Sequence, residues 1–410
     1  MKKCKTKPES CKRLRLAGSP SPRQVIRQTL RRQLHEAMRG LVHDLFEQEV
    51  TALCGPRYGR DRDLEAARAG SEQGSIYWDG RREPTRRPRV RDDDGEVSLE
   101  AYEALRDYDL FSDEVQALLL RGVSTRDFSE LTQKLDDDLP MSKSSASRAF
   151  QRSSQRDLDE INGRALSGDT YCCLMIDGIE KARSHVIVAL GFTSNGSKKI
   201  LGLREGATEN SEVVKDLIQS LMDRGLTTTP RVLFVLDGAK ALHKAVKVHW
   251  GDRAIVQRCQ EHKIRNVRSY LPGHLQDELE RRMRAGYGVK TYDEAMAAMK
   301  TIVAWLSEHH EPAARSLKEG LEETLTVHRL GLPENLRRTF RSTNPIESLF
   351  DKVEYRIKRV KNWKGKTQIA RWAASSLLLH EKKFRRIRGY KQMHLLLAVL
   401  ENVDKKQAVA

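Results

Sequence analysis

Between residues 172 and 259 the hydrophobic period switches repeatedly, and this stretch restricts the available folds more than any other part of the chain. CCLMID (172–177), HVIVALGF (185–192) and KKILGLRE (198–205) are apolar runs of strand length at hairpin spacing. SEVVKDLIQSLMDRGL (211–226) instead places its apolar residues at helical spacing and closes on Gly225. RVLFVLD (231–237) returns to a buried type of strand, residues 238–250 read as a helix, and AIVQRC (254–259) reads as a further strand. No apolar run approaches the ~18 residues of a membrane span, so a membrane protein of that kind is excluded.

Three antiparallel strands, a helix, a parallel strand, a helix and a last strand are the element order of a ribonuclease H-like domain. The expected fold is therefore α/β: a mixed five-stranded sheet with flanking helices. The charged helical sequences LQDELERRMRAG and YDEAMAAMKTIVAWLSEH interrupt it. The predicted division is a basic N-terminal region and linker (1–100), a helix-turn-helix region (101–165), the first part of the core (166–272), a helical insertion (273–335) and the last part of the core (336–400). Within 101–165, Leu110, Val115, Leu118 and Leu119 form an apolar stripe and Gly122 ends the helix. Thr125 is the expected cap of a second helix carrying Phe128 and Leu131, and SKSSASRAFQRSSQR suits a third. This pattern fits a DNA-reading helix-turn-helix and an ordinary three-helix bundle equally well. Residues 55–100, rich in Gly, Pro, Arg and Asp, read as a linker or an irregular basic strand region.

Asp177 and Asp237 each end a predicted core strand, and each is followed by Gly. An acid beside Gly is common turn chemistry, but strand ends are also where α/β sheets present ligand-facing residues. Two such acids on neighbouring strands repel each other unless they are protonated or metal-bound. STNPIESLF supplies a third acid, Glu347. There Asn344, Pro345 and Glu347 are expected at the N-cap, N1 and N3 of a helix whose core face is Ile346, Leu349, Phe350, Val353, Ile357 and Val360. Capping alone would account for Glu347. Three carboxylates would also hold a pair of hard cations such as Mg²⁺, with Mn²⁺ as a substitute, for in-line phosphoryl transfer. Cys259 and His262 form a Cys-x-x-His pair, but no second pair stands nearby, so the ligand count argues against zinc.

The charge points the same way. With 74 Lys and Arg against 57 Asp and Glu, the formal net charge is +17, and a polyanion is the leading class of partner. Residues 1–39 hold 12 Lys and Arg against two Glu, RREPTRRPRVR (81–91) holds six Arg against one Glu, and residues 351–393 hold 14 cations against three acids. Lys352, Arg356 and Arg359 recur on one face of the Glu347 helix, where they suit a DNA backbone. Arg148 and Arg152 are the candidate base-reading residues of the helical region. Six scattered cysteines do not make a disulfide framework and predict a reducing, cytoplasmic setting.

In order along the chain, LMIDGIEKAR, LGFTSNGSKKILGLREG, VLDGAKAL, QRCQEHKIRNV and STNPIES resemble the Mutator-type DDE transposases of bacterial insertion sequences. The resemblance covers roughly residues 100–385. It implies that Asp177, Asp237 and Glu347 are the catalytic, metal-binding triad, with gaps of 60 and 110 residues between them. It also implies that His262 contacts the scissile DNA or orients a phosphate, with Cys259 packed beside it, and Arg265, a turn away, is a further phosphate contact. The expected activity is metal-dependent strand cleavage at terminal inverted repeats and strand transfer into target DNA. The protein would act on double-stranded DNA as a homodimer or higher oligomer, close to the nucleoid. A nuclease or junction resolvase on the same fold, or an inactive DNA-binding repressor, are the alternatives.

Overall fold

The computed structural model describes residues 22–59, 64, 66–78, 81–107, 112–127, 143–181, 184–206, 211–358, 360, 362–363 and 367–402. Phe128 and Leu131, part of the expected second helix of the helix-turn-helix, lie outside them, as do Leu110 and Arg359. The chain divides into two compact units, Met1–Phe111 and Ser112–Ala410.

In the first unit a long helix, α1 (Pro22–Cys54), precedes strands β1 (Ala67–Trp78), β2 (Arg81–Asp92) and β3 (Gly95–Val97) and helix α2 (Glu100–Asp107). Residues 67–97 thus form an antiparallel three-stranded sheet where the sequence suggested a linker or irregular strand. The reason lies outside the segment. Met38, Val42, Phe46 and Val50, spaced four apart on α1, provide the apolar surface against which Ile76, Val90, Leu99 and Tyr102 are buried. Across the strands Arg87 pairs with Glu72 at 2.6 Å and Arg89 with Glu96 at 2.7 Å, so an arginine-rich run is tolerated as a strand. The Glu49 carboxylate accepts the N–H groups of Glu100 and Ala101 and anchors the start of α2.

The second unit opens with α3 (Ser112–Leu120) and α4 (Lys143–Gly163). Gly122, at φ 97°, closes α3 by donating its N–H to Leu119 O, while Val123 donates to Leu118 O. Ser124, rather than Thr125, caps the helical turn at 125–127. Its hydroxyl accepts from Asp127 N–H, and the Asp127 carboxylate accepts from Ser124 N–H.

Then come β4 (Thr170–Lys181), β5 (Ser184–Thr193), β6 (Lys198–Gly206), α5 (Ser211–Asp223), β7 (Thr227–Leu236), α6 (Lys240–Trp250), β8 (Ala254–Arg258) and α7 (Gln260–Arg268). The strands form one mixed sheet in the order β6-β5-β4-β7-β8, antiparallel from β6 to β4 and parallel from β4 to β8. One face is covered by Val214, Leu217, Ile218 and Leu221 of α5 and by Leu242, Ala245, Val246 and Trp250 of α6. Helices α8 (Gly273–Gly288), α9 (Tyr292–His309) and α10 (Glu311–Lys318) build a second core around Met283, Met299 and Leu317, which Ile264 and Val267 of α7 share. The chain returns through two single turns of helix and α11 (Glu334–Phe340) to α12 (Asn344–Ile357), α13 (Gln368–Glu381) and α14 (Met393–Asn402). These last three, with α4, cover the other face of the sheet.

Cys172 and Cys173 do not point to opposite faces as strict alternation requires. A register shift between Tyr171 and Cys173 inserts an extra residue in β4, and both thiols pack in the core on the α12 side. No helix among the described residues is long and apolar enough to cross a membrane.

The helical insertion is fastened to the sheet edge by buried polar groups. Gln257, fully buried on β8, donates to Thr324 O at 2.8 Å and accepts Val327 N–H at 2.9 Å. Lys263 donates its ammonium to Ser316 O and Glu319 O at the end of α10. Burial, helped by the charge of Arg258, lowers the Lys263 pKa to about 8. We expect Gln257→Leu, which keeps the volume but orphans the Val327 N–H, to destabilise the protein by about 1–3 kcal/mol. The check is the urea midpoint, which should fall with little change in slope; an unmoved midpoint would show that Gln257 does not fasten the insertion.

Candidate active site

Strand β7 stops at Leu236, whose partner across the parallel ladder is Ile176 of β4. The next residue on each strand is an acid, so Asp177 and Asp237 fall side by side. The expectation that Asp177 ends its own strand needs correction. β4 runs on to Lys181, paired with β5, and Asp177 faces Val188 within that hairpin. What ends at this point is the parallel neighbour.

β7 turns away through Gly238, at φ 106°, while the Asp237 carboxylate accepts Ala239 N–H at 2.7 Å. That φ is one a residue with a side chain adopts only under strain, and a Cβ there would also have to displace the Arg258 guanidinium at the end of β8. Asp177 is 6% exposed, shares the α12 face of the sheet with Met175 and Ile179, and accepts Gly178 N–H at 2.9 Å. Burial first, then repulsion from Asp237 and more weakly from Glu347, pushes its pKa up to about 7. Gly178 N–H and His262 pull in the other direction.

The rest of the site comes from two helix starts tied together by the backbone. Cys259 donates its N–H to Leu236 O at 2.7 Å, holding the end of β8 to the end of β7, and α7 begins at the next residue. Gln260 N–H donates to Arg341 O at 3.0 Å, and Thr343 N–H donates to the fully buried Cys259 sulfur at 3.4 Å. These contacts set the start of α12 beside the start of α7.

The N-cap of α12 is Thr343, not Asn344, and it makes no side-chain capping bond. Asn344 and Pro345 occupy the first turn, and Glu347 lies one position beyond the expected capping-box place, so its carboxylate is not used on the backbone. Instead it accepts from the Thr343 hydroxyl at 2.8 Å and from Arg265 at 3.2 Å, and it lies 3.6 Å from His262 Nδ1.

The structure therefore gathers Asp177, Asp237, His262 and Glu347 into one electrostatically linked group and packs Cys259 behind them. Ligand atoms of Cys259, His262 and Glu347 lie within 4.8 Å of one another, so the Cys-x-x-His pair has a third neighbour that its sequence spacing did not reveal. Arg148 is exposed on α4 and Arg152 is half-buried one turn on. Lys352 is exposed on α12, whereas Arg356 turns inward and donates to Leu120 O at 2.7 Å. Thr343 escaped the sequence reading because Asn344 is an equally good capping residue. Its spacing of four from Glu347 was the available signal.

Among the described residues no ion pair reaches Asp177 or Asp237. A buried carboxylate, a carboxylate neighbour and a third acid held at the edge are the oxygen donors that a hard divalent cation takes.

The family model described as Transposase, Mutator family matches residues 20–384, beginning well ahead of the roughly 100–385 over which the motifs showed resemblance. The transposase for insertion sequence element IS6120 of Mycolicibacterium smegmatis is 28% identical over 257 residues, covering 61% of this chain and 78% of its own. That for IS1201 of Lactobacillus helveticus is 26% identical over 352 residues, covering 81% and 89%. The solved Drosophila P element transposase strand transfer complex overlays with a TM-score of 0.28 and 14% identity over 72% of this chain and 85% of that one, too weak a likeness to bear on the fold.

Because the folded-state pKa of Asp177 is raised, the native state holds a proton that the unfolded chain has already lost between about pH 4 and 7. This group's contribution to stability is present below the ordinary carboxylate range and is lost as pH rises through 7. With EDTA present, Asp177→Asn should be more stable than the wild type at pH 8 by about 1–3 kcal/mol, and the gap should close towards pH 4. Paired thermal melts across that range test this, and a variant less stable at pH 8 would contradict it.

Proposed function

The chain belongs to the Mutator family of transposases, and on that premise we propose that its mixed sheet is a ribonuclease H-like catalytic core that cuts and joins DNA at the ends of an insertion sequence. The observation that carries this reading is the placement of Asp177 beside Asp237 at adjacent parallel strand positions, with Glu347 brought in from 110 residues further along. In this reading these three acids are the triad and would hold two Mg²⁺ ions, or Mn²⁺ in their place. When bound, such ions polarise the scissile phosphate and make the attacking water or 3′-hydroxyl a stronger nucleophile.

The protein's own groups do the remaining work. Burial of Asp177 in the sheet fixes its carboxylate out of solvent, where it would lose its proton on binding a cation, while the half-buried Asp237 beside it opens towards the rim. Arg265, exposed and paired with Glu347, is placed to transfer its guanidinium to a phosphate oxygen once the carboxylate is engaged elsewhere. His262, half-buried with its Nδ1 held beside Thr343 and Glu347, is left its other ring nitrogen for the substrate in this reading. Lys352 continues the cationic edge along α12. Arg356, committed to Leu120, serves the packing of α3 instead.

Reading of the terminal inverted repeats is assigned to the helical region at 101–165, with Arg148, exposed on α4, as the foremost contact and Arg152 beside it. Two element ends must be held together for joining, which calls for at least a dimer on DNA.

The test is a strand-transfer assay with labelled terminal repeats, a target plasmid and Mg²⁺. Wild-type protein should give joined products. Asp237→Asn should lose them by at least about a hundredfold while retaining repeat binding. Cleavage without joining would favour a nuclease, and binding without chemistry in both proteins would favour a repressor.

A further inference from the structure

Three side chains at the α7–α12 junction converge on one oxygen. Thr343 Oγ1 lies 2.8 Å from Glu347 Oε1, 3.4 Å from His262 Nδ1 and 3.4 Å from Cys259 Sγ, and Thr343 is fully buried. A hydroxyl carries one proton and two lone pairs, so it cannot donate to all three neighbours. The carboxylate is both nearest and the strongest acceptor, and it takes the proton. His262 Nδ1 then faces a lone pair of Oγ1 and, at 3.6 Å, a carboxylate oxygen. A bare Nδ1 would be repelled by both, so the hydrogen of the neutral ring belongs on Nδ1. Cys259 contributes through the backbone, its sulfur accepting Thr343 N–H and holding the residue in place.

We propose that Thr343 is a positioning residue of this site: its hydroxyl fixes the Glu347 carboxylate and selects the Nδ1–H tautomer of His262, so that the ring offers its Nε2 lone pair to the substrate. This rests on the catalytic reading above and adds a residue and a hydrogen-bond polarity to it. Thr343 acts through Glu347 and His262 and does not itself reach the DNA. The chain Cys259–Thr343–Glu347/His262 also explains why a buried cysteine stands beside the acids without being a reactant.

Two variants separate the hydroxyl from the packing. Thr343→Val keeps the branched shape and removes the hydroxyl, while Thr343→Ser restores it. With labelled terminal repeats, Thr343→Val should bind DNA within about twofold of wild type yet cleave about 10–100-fold more slowly, and Thr343→Ser should recover to within about threefold. Matching melting temperatures show that the loss is not one of folding.

Independently of activity, ¹⁵N-histidine NMR of the full chain at about pH 8, with the His262 signal assigned from its loss in His262→Gln, should show the Nδ1–H form, giving way to a mixture in Thr343→Val. The proposal is overturned if Thr343→Val cleaves at the wild-type rate, if Thr343→Ser is as slow as Thr343→Val, or if wild-type His262 carries its hydrogen on Nε2. Should wild type not cleave at all, the catalytic reading fails, and the tautomer measurement still decides the role of the hydroxyl.

Discussion

The organisation of the second unit depends on two like charges held next to each other where a parallel ladder ends. Asp177 is buried in a sheet with Asp237 as its lateral neighbour, and no arginine or lysine neutralises either acid among the described residues. Such a pair destabilises the fold that carries it. The surroundings respond by controlling the remaining charge. Gly178 N–H and Ala239 N–H each satisfy one carboxylate oxygen. His262 lies close enough to lower the proton affinity of Asp177, and Arg265 sits on Glu347 at the solvent side. Positive charge is therefore kept to the rim, leaving the interior of the cluster anionic.

Much of this was legible locally. Apolar runs of strand length and the helical spacing of 211–226 gave the order of strands and helices from 172 to 259, because each element has to bury its own face. Asp177 and Asp237 could be picked out because each interrupts an apolar run just before a glycine. The end of β4 could not be read, since its extension to Lys181 is stabilised by β5 and not by anything within GIEK. Nor could the bulge that brings Cys172 and Cys173 to one face, which is a property of pairing rather than of composition. The capping assignment at 342–348 failed by one residue, and that residue changes what Glu347 is bonded to.

The first unit was the least readable part. Its hairpin has little apolar period because the surface covering it comes from α1, some thirty residues earlier, and two of its arginines, Arg87 and Arg89, are matched by glutamates on the facing strands. Charge counts along 81–91 suggested a free basic patch. Pairing across the sheet leaves Arg87 and Arg89 committed to Glu72 and Glu96. Net charge by segment is therefore a poor guide to available charge wherever strands can pair off their ions.

The route of the chain between Asp237 and Glu347 has a consequence for how such proteins can vary. The chain leaves the core just after Gln260, whose N–H is bonded to Arg341 O, so the path out to the α8–α10 helices and the path back are joined at their base. With the exit and return points clamped, the length of sequence between them is nearly decoupled from the position of the third acid. Closing a longer loop on a fixed base costs only about 0.6 kcal/mol per doubling of its length. The part of the helical segment beyond these contacts can accordingly lengthen or shrink, provided the turns that meet Gln257 and Lys263 are kept.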